Sequence, residues 1–295
     1  MSEERLALRL ADGRALEVAV AGPPDGTVLV FHHGSPGSAT LFEPFTQACA
    51  ERGLRFVTFS RAGFGDSSRL PGRTVASAAV DVAELADHLG VDRFHVVGWS
   101  GGGPHALACA ALLPDRVISA ATLAGVAPWD AEGLDWTAGM GEDNRVEYPT
   151  AARDPEELLR WMQPHVEALS NVTAEGIVED LRTILSDVDV RSLTGAFGGY
   201  QAELFRGAFR NGVWGWYDDD LAFTRPWGFA LADIEVPVSI WQGPEDLMVP
   251  FAHGEWLAAH VPGARAHLEP GQGHLSLVVE GFGRILDDLI ASGRG

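Results

Sequence analysis

Ser100, His274 and Asp246 are the residues whose types and settings could carry out nucleophilic chemistry together. Ser100 lies in Gly98-Trp99-Ser100-Gly101-Gly102, a G-x-S-x-G pattern that follows the apolar pair Val96-Val97 and precedes a helical stretch from Pro104 to Leu113. Glycines on either side let a strand and a helix close together, so a serine at the tip of such a turn projects its hydroxyl outward from a strained backbone. A hydroxyl is a weak nucleophile near neutral pH. It needs a base beside it, and the base needs a third group to orient it. His274 ends the glycine-rich loop Gly271-Gln272-Gly273, and Asp246 lies in Gly243-Pro244-Glu245-Asp246, each after an apolar run. Glu245 is the alternative acid. The other histidines fit less well: His88, His95, His253, His260 and His267 read as surface or packing residues, and His105 lies one turn into the helix after Ser100, badly placed to swing back.

A second loop, His33-Gly34-Ser35-Pro36-Gly37-Ser38, follows the apolar run from Thr27 to His32. It reads as a tight turn, and it could also hold a backbone N–H toward open space, as an oxyanion donor requires. His32-His33 reads as a strand-end pair. Neither H-E-x-x-H nor G-x-G-x-x-G occurs, so no metal and no cofactor is expected.

Composition narrows the chemistry further. All 21 basic residues are arginine, which removes lysine Schiff bases and a lysine-bearing phosphate loop. A formal charge of −20 disfavours nucleic acid and anionic membrane surfaces as partners, and self-association is left open. No 18-residue apolar run occurs and the start, Met1-Ser2-Glu3-Glu4-Arg5, is acidic, so a cytoplasmic protein is expected. Cys49 and Cys109 sit in apolar settings and read as buried thiols.

The elements that must position these groups follow from periodicity. Short strands over 6–10 and 15–21 flank an Asp-Gly hairpin turn. Continuous apolar runs at 27–32, 55–60, 94–98, 117–124 and 238–242 predict strands buried on both faces, with a further strand at 264–268. Helical spacing at 39–52, 74–89, 104–113, 251–261 and up to about 291 alternates with them. This alternation predicts an α/β fold with a mainly parallel sheet covered by helices on both faces. Between residues 127 and 232 the strand pattern stops. Helical patterns at 155–169, 174–185 and 199–210 appear instead, with six of the nine tryptophans. The expected organisation is a core of residues 1–126 and 233–295 with an all-helical cap, 127–232, inserted after the strand ending near Ala124. Trp136, Trp161 and Trp214, with Trp99 beside the serine, are the candidates to line a pocket beneath it. In a parallel sheet Ser100, Asp246 and His274 all leave from carboxyl ends of strands and can converge.

In order along the chain, His33-Gly34-Ser35-Pro36-Gly37, Gly63-Phe64-Gly65-Asp66-Ser67, Gly98-Trp99-Ser100-Gly101-Gly102, Gly243-Pro244-Glu245-Asp246 and Gly273-His274 resemble the α/β-hydrolase superfamily over nearly the full length. The resemblance implies Ser100 as nucleophile, His274 as general base and then acid, Asp246 as orienting carboxylate, and the backbone N–H groups of Gly101 and Ser35 as the oxyanion hole. It implies a cofactor-independent serine hydrolase, and we expect a small, largely apolar ester or lactone as substrate. The serine in place of an aspartate nucleophile argues against haloalkane dehalogenation. The donor loop is similar to that of the proline-iminopeptidase-like branch, although that branch usually shows His-Gly-Gly-Pro-Gly and a tryptophan after the nucleophile rather than before it. A proline-type aminopeptidase is therefore the alternative. It would need cap carboxylates for the substrate ammonium, which Asp218-Asp219-Asp220 or Glu142-Asp143 could supply, although such a run also reads as a solvated acidic loop. A ligand-binding or signalling protein that keeps the triad without turnover is the second alternative. Ser60 stands where the family often has an aspartate, which bears on how the Gly63-to-Ser67 loop is braced.

Overall fold

The computed structural model describes residues 3–294. Eight strands form one sheet: β1 (Glu3–Arg9), β2 (Ala15–Ala21), β3 (Thr27–His32), β4 (Leu54–Phe59), β5 (Phe94–Trp99), β6 (Val117–Leu123), β7 (Val238–Gln242) and β8 (Arg265–Leu268). Their spatial order is β1-β2-β4-β3-β5-β6-β7-β8, with β1 and β2 antiparallel and every pair from β4 onward parallel. The chain order reverses where β3 meets β5, and at such a switch point the loops beyond the strand ends diverge and leave a crevice. Ser35 and Ser100 leave the sheet on the two sides of that point.

Alternation along the central strands builds two cores. Val28 and Val30 of β3 turn into a cluster with α2 (Ser77–His88), α3 (Gly103–Leu112) and α10 (Phe251–His260). Leu29 and Phe31 turn the other way, toward α1 (Glu43–Ala50) and α11 (Ser276–Ser292). The nucleophile strand β5 is buried along its whole length, as a strand covered on both faces must be. The first predicted helix is shorter than its periodicity suggested: residues before Glu43 run extended, and Pro44 opens α1 in its first turn.

Between β6 and β7 the chain forms only helices: α4 (Glu142–Arg153), α5 (Pro155–Ser170), α6 (Ile177–Asp180), α7 (Asp187–Ser192), α8 (Gly195–Ala208) and α9 (Trp214–Phe223). Asp154 caps α5 by accepting the N–H groups of Glu156 and Glu157, both at 3.0 Å, and Pro155 follows at a position that needs no donor. The sequence reading missed α4, α7 and α9, and the patch at 174–185 splits into α6 and a separate short turn. Pro149 interrupts the helical pattern of α4, and α9 is buried nearly all round, which erases the amphipathic period. Cys49 and Cys109 are buried free thiols. Among the described residues no helix is long and apolar enough to cross a membrane.

Candidate active site

Ser100 adopts φ +55°, a left-handed conformation that costs a side-chain-bearing residue on the order of 1–3 kcal/mol and holds its hydroxyl off the end of β5. The flanking glycines are required by contact. A Cβ on Gly98 would lie 2.1 Å from the Gly102 carbonyl oxygen, and one on Gly102 would lie 2.3 Å from the His32 carbonyl oxygen. Strand and helix therefore approach more closely than any side chain permits.

Asp246 and His274 meet behind this turn. His274 Nδ1 lies 2.8 Å from Asp246 Oδ2, and both residues are buried. Asp246 is held in turn by Gln242 Nε2 at 2.9 Å and by the backbone N–H groups of Met248 and Val249, each at 2.8 Å. Glu245, the alternative acid, points to solvent. Burial works against a charged imidazole, but the Asp246 carboxylate outweighs it and raises the His274 pKa above its ordinary value. Burial likewise raises the pKa of Asp246, against the pull of His274. Trp99 packs its ring 5.9 Å from the imidazole and donates its indole N–H to the His274 carbonyl at 3.3 Å. Ser100 Oγ has no hydrogen-bond partner among the described residues, which leaves it free toward the cavity.

The loop after β3 lies against the serine. A Cβ on Gly34 would come within 3.8 Å of Ser100 Oγ, and one on Gly101 would lie 2.8 Å from Ser35 Oγ. The Ser35 N–H has no partner among the described residues, and Gly101 opens the turn into α3, where N–H groups lack intrahelical acceptors. Arg61 fixes this loop: its guanidinium donates to the carbonyl oxygens of His33 at 2.5 Å and Gly34 at 3.0 Å and to Ser35 Oγ at 2.8 Å. His33, in its neutral form, faces the Gly34 carbonyl with Nδ1 at 2.6 Å and accepts the Arg61 N–H. Ser60 braces the neighbouring loop by accepting the Ala39 N–H and donating to Glu17, so a carboxylate from β2 stands where a local aspartate is absent.

The acidic run on α9 is not a solvated loop. Asp218, Asp219 and Asp220 are all buried. Asp219 pairs with Arg61 at 2.6 Å and Arg73 at 2.5 Å, accepts the Ser35 hydroxyl, and lies 3.3 Å from His105 Nε2. Burial alone would raise its pKa, but the two guanidinium groups hold it well below the ordinary value. Asp218 takes a two-point contact from Arg69 at 2.8 and 2.9 Å. Asp220 has both oxygens buried without an N–H or O–H donor, and it faces Glu147 of α4, itself buried and 2.6 Å from Trp216 Nε1. Burial, opposed by those contacts, pushes the Glu147 pKa up to about 7, and burial with the charge of Glu147 raises Asp220 well above its ordinary value. A proton held between the two carboxyls would supply a donor to one of the Asp220 oxygens that otherwise lack one.

A narrow cavity opens at Ser100 and Ser35. Its walls are mostly apolar and aromatic, with Tyr148, Trp161, Leu169, Phe205, Trp216 and Met248, and its polar groups include Glu147, Asp143 and Asp180. Of the four tryptophans expected to line it only Trp161 does. Trp99 lies behind the site on His274. Trp136 is buried elsewhere, its indole N–H on the Ala127 carbonyl at 2.8 Å. Trp214 sits partly exposed under the Arg69 guanidinium at 3.9 Å. Trp216, two residues on, takes the lining position, because on a helix the next residue but one faces another direction. His253 is no base either: it accepts the Ala127 N–H and faces the Trp136 carbonyl, tying the start of the insertion to α10.

Residues 27–281 match the family model described as alpha/beta hydrolase fold. The chain is 28% identical over 276 residues to an uncharacterized hydrolase, YcgS, of Bacillus subtilis (strain 168), covering 90% of this chain and 89% of the relative. It is 27% identical to a bifunctional esterase/perhydrolase, DCH, of Acinetobacter calcoaceticus, over 78% of each chain. The solved enol-lactonase of Burkholderia xenovorans LB400 shares its fold with a TM-score of 0.62 at 21% identity, over 95% of this chain and 98% of that one. With the sheet order, the strained serine and the paired acid and histidine at its strand ends, the match over most of the chain shows that this protein belongs to the α/β-hydrolase fold family and is a hydrolase of that family.

Proposed function

We propose that the protein hydrolyses a small, largely apolar carboxylic ester or lactone through an acyl-enzyme on Ser100. The observation that carries this reading is the combination of a buried 2.8 Å Asp246–His274 pair, packed against the Trp99 ring, with the serine that follows Trp99, which is held in a left-handed conformation and lines an apolar cavity. Ser100 Oγ attacks the carbonyl carbon while His274 takes its proton. The N–H groups of Gly101 and Ser35 receive the developing oxyanion, each worth roughly 3 kcal/mol of transition-state stabilisation. His274 returns the proton to the leaving alkoxide, and a water activated by the same imidazole releases the acid. The helical insertion, residues 127–232, acts as a cap whose α4, α5 and α9 cover the acyl or alcohol group. Esterase names among the relatives support the same substrate class.

A second reading has one specific observation behind it. Glu147 lines the cavity and faces the buried carboxyl of Asp220, and among the described residues no arginine lines that cavity. Such a site favours a substrate carrying an amine, as a proline-type aminopeptidase would require; of the acidic residues expected for that role, Asp218 and Asp219 are already paired with arginines, whereas Asp220 faces Glu147 and Asp143 lines the cavity.

Labelling with a fluorophosphonate tests the first reading. Folded wild-type protein becomes covalently modified and Ser100→Ala does not, and p-nitrophenyl butyrate is turned over faster than proline p-nitroanilide. Absence of labelling on folded wild-type protein refutes the serine mechanism, and fast anilide turnover with negligible ester turnover selects the second reading.

A further inference from the structure

The side chain of His274 is oriented by Asp246 of the core, but its backbone is held from elsewhere. Asp189, on α7 of the insertion, is fully buried. Its Oδ2 accepts the His274 N–H at 3.0 Å and its Oδ1 accepts those of Leu275 at 2.7 Å and Ser276 at 3.0 Å. Ser186 adds a hydroxyl at 2.9 Å. A Cβ on Gly273 would fall 2.5 Å from the same carboxylate, so the loop gives up a side chain to let Asp189 in.

These three N–H groups open α11, whose first turn carries no side-chain cap of its own. A local serine or aspartate could satisfy them at little cost. The chain instead buries a carboxylate from 85 positions upstream, which is tolerable only because four donors and the helix N-terminus meet it. A partner recruited from that distance does something a local cap cannot: it makes the position of the base depend on the insertion being seated.

We propose that Asp189 is a positioning residue for His274, setting the backbone from which the imidazole reaches Ser100. The inference rests on the serine-hydrolase reading above. Asp246 from the loop after β7 and Asp189 from α7 are the charged groups that face the imidazole, and the negative charge of Asp189 adds to that of Asp246 in favouring imidazolium. Removing it therefore has two consequences, misplacement and a lowered pKa.

The test uses Asp189→Asn, similar in volume but presenting an amide NH2 to N–H donors, with fluorophosphonate labelling carried to its end point so that sites are counted independently of how fast each one reacts. Turnover per labelled serine is expected to fall about 100-fold, the cost of displacing a catalytic group by about 1 Å, with KM nearly unchanged. The acid limb of kcat/KM moves to lower pH. A purely structural role would reduce the number of labelled sites and leave the turnover of each site and the acid limb as in wild type; that result overturns the proposal. Should Asp189→Asn fail to fold, Gly273→Ala displaces the same carboxylate from the loop side, and wild-type turnover per site in that variant overturns it equally. Failure of the serine-hydrolase reading looks different, because wild-type protein itself is then not labelled.

Discussion

The turn around Ser100 and the helical insertion above it hold their polar groups by opposite means. At the turn, backbone contact suffices: Gly98 and Gly102 are packed against carbonyl oxygens at distances no Cβ could tolerate, and the serine is forced outward. In the insertion, side-chain charge does the work. Asp219 reaches down to Arg61, Arg73 and Ser35, and Asp189 reaches down to the loop of His274. Ser100 is thus set by local geometry, whereas the loops of Ser35 and His274 are each anchored to a buried carboxylate from the insertion. Shape is inexpensive to maintain at a tight turn, but a buried charge is stable only when every partner stays in place.

Three substitutions probe that contrast. The largest loss is expected from Asp246→Asn, which keeps the fold but removes the charge that orients and stabilises the imidazolium; turnover drops roughly 10⁴-fold. The same variant shifts the pH profile. His274 must be neutral to accept a proton, so in wild type kcat/KM rises with pH through a value above the ordinary 6.5 of histidine, and in Asp246→Asn that limb moves down. A limb unchanged by the substitution would mean the base is not His274.

Asp219→Ala tests the insertion side. It leaves Arg61 and Arg73 buried without a counter-charge, so urea unfolding should show a loss of about 3–5 kcal/mol, with oxyanion stabilisation weakened as Ser35 loses its hold. Equal stability in the variant would show that the ion network is dispensable and the contrast with the turn overstated.

Glu147→Gln gives the smallest effect. Glu147 has a folded pKa of about 7 against an ordinary 4.5, so between those values the folded protein retains a proton that the unfolded chain releases. The proton-linked stabilisation from Glu147 is therefore full below about 4.5 and is lost as pH rises through about 7. Melting temperatures followed from pH 5 to 8 should fall more steeply in wild type than in Glu147→Gln, and parallel curves would rule out the shared proton.

The contrast also explains what could be read along the chain. Each element of the core came from a signal confined to a few residues: Thr27–His32 and Val238–Gln242 are apolar runs, Gly-x-Ser-x-Gly is a contact requirement, and the order of Ser100, Asp246 and His274 follows from parallel strands. The insertion carried weaker signals. Asp218-Asp219-Asp220 looked like a solvated run because burial of acidic residues depends on Arg61, Arg69 and Arg73, far away in sequence. Trp216 rather than Trp214 reaches the cavity, and spacing alone does not say which face of α9 turns inward. Asp189 offered no motif at all; the nearest hint was Gly273, a glycine before the histidine with no need for a positive φ, kept small for a neighbour that the sequence does not name.

By itself the sequence determined the sheet, the strained serine and the pairing of Asp246 with His274, because strand burial, close backbone approach and chain direction are properties of short stretches. Only the tertiary structure decided which carboxylates are paired, which share a proton and which grip the catalytic loops. Those outcomes are set by desolvation and by partners far apart in sequence, 184 positions for Ser35 and Asp219, and no local pattern encodes them.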